Sequence, residues 1–408
     1  MRIVDFSVCS AYPPISGGGH RIFNINSQLA ERCSIFHFSL MPAEYVCVKK
    51  TKLLQNLLTG DDPNIPFRSR VIQIKERYLQ FTFANPVLLL LGRMVSRRDL
   101  PEFVPPLIDP SSVRIARREI LESDIVQVET PWPFDWVYQN APKHKPIVLV
   151  EHDVTSRLYE GRCTESTMRT IRQKEERALE KSDLIFTVSE DDADTLRSEY
   201  HVDMSKIEII PHGVNTSRMR PASKEEKDMA KARFGFKGRT IVLFTGCGHL
   251  PNVEATKTIH DIASRIHDDI VLFVIAGSVG EHARGKSSRK IHYTGYVDNI
   301  EPYFQMADIA INPVLSGGGT NTKMIEYLAY GLPVVTTGFG ARGLSLRHGE
   351  GVLVSSIDGF SQAIEELIMN CDMRHRMGEK GRHIAERFHD WTAIAEKALA
   401  AYDRLLSS

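Results

Sequence analysis

The residues best suited to chemistry lie in one glycine-rich block in the second half of the chain. A predicted strand ends there, a loop follows, and a helix pattern begins directly after the loop. Consecutive backbone N–H groups in such a loop form a nest that binds anions, and a threonine or asparagine can cap the helix. The residues of this predicted phosphate-binding loop are Gly317, Gly318, Gly319, Thr320 and Asn321.

Two charged side chains follow in the first turns of that helix. Lys323 and Glu326 are three residues apart, so they share one helical face. A lysine ammonium suits a diphosphate as a point charge. A carboxylate suits a ribose diol, because it can accept two hydroxyl hydrogen bonds. The pattern predicts a nucleotide diphosphate site, and the alternative is an ordinary surface ion pair.

A second glycine run follows the first predicted strand and opens a helix. Glycines let a backbone approach a ligand closely, and a helix N-terminus offers N–H groups and a positive dipole end to phosphate. The run is neither Gly-x-Gly-x-x-Gly nor a P-loop, so a nicotinamide or P-loop site is only weakly indicated. A phosphate or sugar contact is expected here, and a tight turn is the alternative. The run comprises Gly17, Gly18, Gly19 and His20.

The segment Glu151-His152-Asp153 ends another predicted strand. Ligands collect at the carboxyl ends of parallel strands, and a histidine can donate or accept a proton near neutral pH. His152 is therefore a candidate for the reacting group, against the alternative of a structural histidine.

Two weaker signals complete the set. Tyr296 and Val297 follow a predicted strand and could hold a base by stacking or by backbone bonds. Asp192 and Asp194 form an Asp-x-Asp pair of the kind that binds metal ions in some enzymes, but a predicted helix makes their side chains diverge, so we interpret them as helix N-terminal charges. No metal site is predicted.

Short β-branched runs alternate with amphipathic stretches, as in doubly wound α/β sheets. The predicted strands are Arg2–Ser7, Ile125–Val128, Ile147–Glu151, Leu184–Val188, Lys206–Ile210, Thr240–Thr245, Ile270–Ala276, Ile291–Tyr293, Ile309–Pro313 and Pro333–Thr336. The predicted helices are Arg21–Glu31, Ser166–Lys181, Glu190–Tyr200, Asn252–Ile266, Asn299–Met306, Thr322–Tyr330 and Ser361–Met369, with a helical tail near 385–406.

This alternation occurs twice, with a break at Pro211-His212-Gly213 that leads into the polar stretch Thr216–Lys231. We expect a Rossmann-like domain over 1–212 and a second Rossmann-like domain over 213–385. The tail over 386–408 is either an ordinary C-terminal core helix or a helix that crosses back onto the first domain. A central cleft between them is the expected ligand site.

Composition limits the class of protein. The chain has 408 residues, 42% of them hydrophobic and 25% charged, with a net charge of zero, so no nucleic-acid partner is indicated. The N-terminus lacks a signal-peptide pattern, and the longest aliphatic run, Val87–Leu91, is far short of the ~20 residues that span a bilayer. Residues 49–118 are basic and apolar, which fits peripheral contact with the inner face of the membrane, or a solvated face with helix packing. A cytoplasmic location is expected.

Taken together, these motifs resemble the family-four retaining glycosyltransferases, most sharply from Thr240 to Gly343. The segments that carry the resemblance are Phe244-Thr245-Gly246, Ile275-Ala276-Gly277, Thr294-Gly295-Tyr296-Val297-Asp298, Gly317–Val335, Ala341-Arg342-Gly343-Leu344, Gly17-Gly18-Gly19-His20, Glu151-His152-Asp153, Thr187-Val188-Ser189-Glu190 and Ile210-Pro211-His212-Gly213-Val214.

The resemblance implies a GT-B fold and a donor, a UDP-sugar or GDP-sugar, held mainly by the second domain, with Gly246 in that site. It implies that Glu326 holds the nucleotide ribose, that Gly18 and Gly19 approach the diphosphate, and that His152 lies at the reacting sugar. It also implies transfer of a hexose-type sugar with retention, and a C-terminal helix over 386–408 that crosses back to the first domain. A glycan or lipid-linked acceptor in polysaccharide biosynthesis is suggested by the basic and apolar region 49–118 alone.

Two departures from the family pattern stand out. Gly318 occupies the position of a second glutamate, and the loop Gly246–Asn252 lacks the usual arginine and lysine. We expect Lys323 and the glycine nest to take over phosphate binding without a metal cofactor. The missing carboxylate leaves two alternatives open: a non-catalytic nucleotide-sugar-binding subunit, or a nucleotide-sugar epimerase on the same fold.

Overall fold

The computed structural model describes residues 1–8, 11, 17–39, 46–47, 71–74, 77–80, 110–283, 285–317, 320–344 and 346–407. The chain forms two compact units, one comprising Met1–Pro211 with Ile394–Ser408, the other His212–Ala393.

The first unit is built on a parallel sheet of six strands in the order β2-β1-β6-β7-β8-β9. Its strands are β1 (Arg2–Ser7), β2 (Ser34–Ser39), β6 (Ile125–Glu129), β7 (Ile147–Val150), β8 (Leu184–Thr187) and β9 (Ile207–Ile209), and a separate antiparallel sheet holds β3 (Val46–Cys47), β4 (Val71–Ile74) and β5 (Arg77–Gln80). Its helices before the second unit are α1 (Gly17–Leu29), α2 (Pro110–Glu122), α3 (Phe134–Asn140), α4 (Thr155–Leu158), α5 (Glu165–Lys181) and α6 (Glu190–Tyr200).

The second unit has its own parallel sheet of six strands, in the order β12-β11-β10-β13-β14-β15. Its strands are β10 (Thr240–Thr245), β11 (Val271–Ala276), β12 (Ile291–Tyr293), β13 (Ile309–Asn312), β14 (Val334–Thr336) and β15 (Val352–Val354). Its helices are α7 (Lys224–Arg233), α8 (Leu250–Arg265), α9 (Val279–His282), α10 (Glu301–Met306), α11 (Thr322–Ala329), α12 (Phe360–Met369) and α13 (Cys371–Phe388). A last helix, α14 (Trp391–Ser407), belongs to the first unit from Ile394 onward.

Both sheets have the apolar character that burial on two faces requires. β11 is buried along its whole length, and β6 likewise. Separate apolar clusters pack against the strands of the second sheet, one containing Leu243 and Val274, the other Phe244 and Phe273. Continuous burial of this kind is typical of parallel sheets covered by helices. The predicted α/β class with two Rossmann-like sheets is confirmed.

The order of the strands determines where the chain reverses its direction of progress across each sheet. In the second sheet the chain leaves β10 toward β11 on one side and later places β13 on the other, which makes the β10/β13 boundary a topological switch point. In the first sheet, β1 and β6 form the corresponding boundary. Ligands of doubly wound sheets bind outside the carboxyl ends of strands at such points.

The structure contains a helix that the sequence analysis did not predict, and it divides the predicted helical tail. The polar stretch after the break contains helix α7, whose first turn is fixed by a capping box between Ser223 and Glu226. The helical tail is two helices, because Asp390 interrupts it: its carboxylate accepts the N–H of Thr392 at the start of α14 and the hydroxyl and N–H of Thr216.

The basic and apolar region over 49–118 lies largely outside the described residues. Of it, the structure describes only β4, β5 and the first part of α2, so the predicted membrane contact stays a prediction. None of the helices in the described ranges is long and apolar enough to cross a bilayer.

Candidate nucleotide-sugar site

Helix α11 carries the two charged residues of the glycine-rich block and is anchored by its opposite face. Met324, Ile325, Tyr327 and Leu328 are buried, and the hydroxyl of Tyr327 accepts the N–H of Thr245 at 2.8 Å. This bond ties the helix to the end of β10. It directs the Lys323 and Glu326 side chains away from the core, next to the switch point.

Lys323 reaches the loop that follows β10. Its ammonium donates to Oδ1 of Asn252 at 2.7 Å and lies 4.2 Å from the ring centroid of Phe244. Asn252 in turn donates through Nδ2 to the carbonyl of Cys247. Burial lowers the pKa of Lys323 to about 7, because a charged ammonium is poorly solvated there. The cation thus sits beside the loop that lacks an arginine and a lysine of its own.

Glu326 lies one turn further along α11 and forms no ion pair with Lys323. None of the described residues provides a hydrogen-bond donor to its carboxylate. Burial raises its pKa to about 7, and the nearby charge of Lys323 only partly offsets that shift. An ordinary surface ion pair therefore does not describe these residues. A partly buried carboxylate without a donor is suited to hydroxyl groups supplied by a ligand.

The predicted glycine nest is described only at its two ends. Gly317 has φ +128°, and a Cβ there would lie 3.3 Å from Cγ of Pro251. Gly318 and Gly319 lie outside the described residues. Asn321 is the N-cap of α11, but its side chain makes no capping bond and Nδ2 donates to the carbonyl of Gly340 at 3.3 Å. The predicted side-chain cap is therefore absent, and Thr320 precedes the cap.

A second cation borders this turn. A Cβ on Gly317 would lie 3.8 Å from Nη2 of Arg342. The guanidinium stacks 3.8 Å from the ring centroid of Phe339, and Nη1 donates to the carbonyl of that residue. Arg342 belongs to one of the segments that resemble the family, but its contact with this turn was not predictable, because it follows a different strand from the glycine-rich block.

At the predicted base contact, one backbone N–H group already has a hydrogen-bond partner within the protein. The N–H of Tyr296 donates to Oε1 of Glu281 at 2.9 Å, and the tyrosine side chain is 69% exposed. Val297 packs against the core of the second unit. Stacking on Tyr296 is compatible with this arrangement, whereas a base hydrogen bond from its N–H would have to displace Glu281.

Gly246 and Gly277 bring two of the loops at the carboxyl edge together. The carbonyl of Gly246 accepts the N–H of Val279. Gly277 has φ +102°, and a Cβ there would collide with that carbonyl oxygen. Only glycine fits both constraints.

We expect Gly277→Ala to destabilise the second unit by about 2–3 kcal/mol, because it combines a left-handed backbone with a steric collision. Gly235→Ala is the matched control: Gly235 has φ +76° and no atom within 4 Å of a Cβ, so strain alone should cost about 1 kcal/mol. Urea denaturation followed by circular dichroism measures both. Equal losses would contradict the proposed collision.

The first unit places its glycine run differently from the expected loop. Gly17, Gly18 and Gly19 form the first turn of α1 itself, and His20 follows on an exposed position. The next residue, Arg21, is buried and donates to the carbonyls of Ile210 and Pro211 at 2.6 Å.

His152 lies just beyond the end of β7, and its imidazole Nε2 contacts a carboxylate oxygen of Glu129 at the end of β6. The preceding residue, Glu151, is fully buried and neither of its carboxylate oxygens has a partner among the described residues. Burial raises the pKa of Glu151 well above its usual value, and the negative charges of Glu175, Asp192 and Asp153 add to the effect.

Asp192 and Asp194 do lie on a helix and diverge. Ser189 caps α6 and its hydroxyl donates to Asp192 at 2.5 Å, whereas Asp194 pairs with Arg197 at 3.0 Å. Within the described residues, no group of three or more His, Cys, Asp or Glu side chains is arranged to hold a metal ion.

Family models match both halves of the chain. The model described as Glycosyltransferase Family 4 matches residues 77–218, and the model described as Glycosyl transferases group 1 matches residues 239–370. The first match lies mostly on the first unit and extends to residue 218, just inside the second, and the other match lies wholly on the second unit.

The curated relatives have low sequence identity to this chain, but the matches cover most of its length. A mannosylfructose-phosphate synthase of Agrobacterium fabrum is 21% identical over 350 residues, which are 80% of this chain and 69% of that protein. A D-inositol 3-phosphate glycosyltransferase of Streptomyces bingchenggensis is 24% identical over 64% of each chain.

Solved structures share the fold over the whole chain. Sucrose-phosphate synthase of Thermosynechococcus elongatus has a TM-score of 0.70 at 16% identity, covering 100% of this chain and 99% of that one. The HepE protein of Anabaena, solved in complex with UDP, has a TM-score of 0.68 at 13% identity, covering 99% and 100%. The fold is thus that of the GT-B glycosyltransferases.

Proposed function

We propose that the chain is a glycosyltransferase of the family-four class, because the Glycosyltransferase Family 4 model matches residues 77–218 and the Glycosyl transferases group 1 model matches residues 239–370. On that premise we also propose a donor, a reaction and an acceptor class. The donor is a UDP-sugar or GDP-sugar. The reaction moves its hexose-type sugar with retention. The acceptor is a glycan or a lipid-linked sugar.

One observation carries the proposal. At the switch point of the second sheet, the half-buried ammonium of Lys323 and the half-buried carboxylate of Glu326, which has no donor among the described residues, lie one helical turn apart at the start of α11. A nucleoside diphosphate offers the two complementary groups, a polyanion and a ribose diol, in direct succession. Partial burial of both groups costs solvation free energy, so their presence here is not explained by core packing. A ligand that binds both groups would compensate that cost.

The leaving diphosphate requires positive groups close to it in the transition state. As the sugar–phosphate bond weakens, negative charge grows on the diphosphate, and fixed positive groups stabilise it. Lys323, the N–H groups at the start of α11 and the neighbouring Arg342 supply such charge from this chain's own residues. In this proposal no resident metal is needed, and the glycine nest takes the position of the family's usual loop cations.

The acceptor hydroxyl is proposed to attack, and the diphosphate to leave, on the same face of the sugar ring. Gly318 leaves no carboxylate at the position where a covalent nucleophile would be sought. The acceptor hydroxyl then attacks on the same face from which the diphosphate leaves, and the leaving phosphate takes the hydroxyl proton. His152 is proposed to contact the transferred sugar and to orient it.

The proposed acceptor and location rest on residues 49–118. Their basic and apolar composition favours contact with anionic lipid, and a lipid-linked acceptor in polysaccharide biosynthesis on the cytoplasmic face would bring the enzyme there. Co-sedimentation of the full chain with vesicles containing anionic lipid tests this. Absence of binding at low salt would remove the membrane part of the proposal.

The experiment that tests the function is incubation of the purified chain with a panel of UDP-sugars and GDP-sugars, with and without glycan acceptors. Release of the nucleoside diphosphate with transfer or hydrolysis of the sugar is the expected result. Inversion at C2 of the sugar would identify an epimerase instead, and tight binding without turnover would identify a binding subunit.

A further inference from the structure

We propose that Glu129 is a positioning residue that fixes the ring orientation and the tautomer of His152, so that Nδ1 is the nitrogen presented to a hydroxyl of the transferred sugar. The inference rests on the proposed function, which places His152 at that sugar. Sequence reasoning gave Glu129 no role.

The pair arises from the register of the first sheet. β6 and β7 are parallel neighbours, and Glu129 is paired with Val150, two residues before His152. The Glu129 side chain is 3% exposed and the His152 side chain 12% exposed, and Oε2 of the carboxylate contacts Nε2 of the ring. A carboxylate only accepts hydrogen bonds, so Nε2 carries the proton. In the neutral ring, Nδ1 is then an acceptor, and none of the described residues donates to it.

The carboxylate of Glu129 is itself held in place by a hydrogen bond from a neighbouring side chain. Its Oε1 accepts Nε2 of Gln127 at 2.8 Å. The orientation of that amide is determined on both sides, because its nitrogen also faces Oδ1 of Asp5 at 3.3 Å and its oxygen accepts the hydroxyl of Tyr402 on α14. Each oxygen of Glu129 therefore has one assigned donor, and the group cannot rotate without breaking both bonds.

The network continues below the strands. Oδ2 of Asp5 accepts Nδ2 of Asn26 at 2.8 Å and contacts Nδ1 of His37 at 2.7 Å. The buried Arg21 interacts electrostatically with Glu129, which raises the pKa of Arg21, although burial lowers it to about 10 overall. The negative charge of Glu129 is thus balanced, which a carboxylate buried beneath a strand end requires.

The backbone next to Glu129 is strained. Thr130 has φ +72°, a value that β-branched residues rarely adopt, and its N–H donates to the carbonyl of Val150 at 2.9 Å. Strain of this kind persists where the surroundings hold a residue in place, and it is common at functional sites. Here it turns the chain immediately after the carboxylate that contacts His152.

A purely structural ion pair is the competing explanation, and Glu129→Gln separates the two. A glutamine has one acceptor oxygen, and Gln127 already offers an N–H there. The new amide nitrogen would then face Nε2 of His152, which forces the ring proton onto Nδ1. The side-chain ¹⁵N shifts of His152, assigned by their loss in His152→Asn, report the tautomer directly.

We expect the Nε2–H form in the wild type and the Nδ1–H form in Glu129→Gln. We also expect kcat to fall about tenfold with little change in KM for the donor, as for other groups that orient a functional histidine. Because Glu129 acts through His152, the double variant Glu129→Gln/His152→Asn should be no slower than His152→Asn. Glu119→Gln is the matched control, since Glu119 is a buried carboxylate of the same unit that pairs with Arg2; it should leave the His152 spectrum unchanged.

The proposal is overturned by an Nδ1–H ring in the wild type, by an unchanged tautomer in Glu129→Gln, or by losses that add in the double variant. The wild-type spectrum decides the pairing even if Glu129→Gln fails to fold. If the wild type transfers no sugar from any donor, the proposed function fails, while the spectra still decide whether Glu129 sets the tautomer.

Discussion

Lys323→Met is expected to lower kcat for sugar transfer by about 10²–10³-fold, the usual cost of removing one group that stabilises a developing negative charge. Methionine keeps most of the apolar stem, so the packing over Phe244 should survive. The ammonium is poorly solvated in its place, with a pKa lowered to about 7, and its removal leaves only Oδ1 of Asn252 without its donor. The loss of stability should therefore stay near 1 kcal/mol.

Lys231→Met is the control for this variant. Lys231 is a buried lysine of the same unit, but its ammonium pairs with Asp308 at 2.6 Å, near the opposite end of β10. Its removal leaves the partly buried carboxylate of Asp308 with only the more distant ammonium of Lys227, at 3.4 Å, so it should reduce stability and leave kcat unchanged. Near-normal turnover of Lys323→Met would refute its role, and a loss confined to Arg342→Met would transfer that role to the second cation.

Glu326→Ala is expected to weaken nucleotide-sugar binding by about 10–100-fold, because hydrogen bonds to a charged group contribute about 1.5–3 kcal/mol. Isothermal titration calorimetry measures this loss without requiring turnover. Glu366→Ala, which removes an exposed carboxylate on α12, should bind as the wild type does. An unchanged affinity in Glu326→Ala would show that the ribose is held elsewhere.

The affinity for the nucleotide sugar, measured by the same calorimetric method, is expected to depend on pH in two ways. The pKa of Glu326 is raised to about 7, so the carboxylate that accepts ribose hydroxyls becomes populated as pH rises through that value. The pKa of Lys323 is lowered to about 7, so the ammonium that binds the diphosphate is lost as pH rises further. Affinity should therefore be highest close to neutral pH and fall on both sides.

Each variant should remove one limb. Glu326→Ala abolishes the fall on the acidic side and, since the carboxylate raises the pKa of Lys323, shifts the basic limb to lower pH. Lys323→Met abolishes the basic limb. A nucleotide sugar is the appropriate ligand, because its diphosphate is esterified at both ends and does not titrate near neutral pH. A flat profile for the wild type would contradict the assignment of both groups.

Most of the fold could be predicted from periodicity alone. The ten predicted strands are all present in the two sheets, because parallel strands buried on both faces form continuous apolar runs. Two strands of these parallel sheets were not predicted, and neither were the three short strands β3, β4 and β5 of the antiparallel sheet. β15 is only Val352–Val354 between glycine turns, and β2 has polar serines at both ends and a buried His37 in the middle. Only pairing with neighbouring strands makes such segments extended.

The candidate site was predictable where its residues share one element. Helical spacing alone places Lys323 and Glu326 on one face. The partner of Lys323 was not predictable in this way, since Asn252 lies 71 residues away. Glu129 was missed for the same reason, although its position at the carboxyl end of a predicted strand, next to the strand of His152, was a usable signal. Contacts set by strand register become visible only in the folded sheet.

The most direct test is a crystal structure of the full chain soaked with UDP or GDP. The account predicts the diphosphate at the start of α11, within hydrogen-bond distance of Lys323 and the backbone that follows Gly317, and the ribose hydroxyls on the carboxylate of Glu326. A bound nucleotide that leaves Glu326 without a hydroxyl partner and occupies another strand end would contradict it.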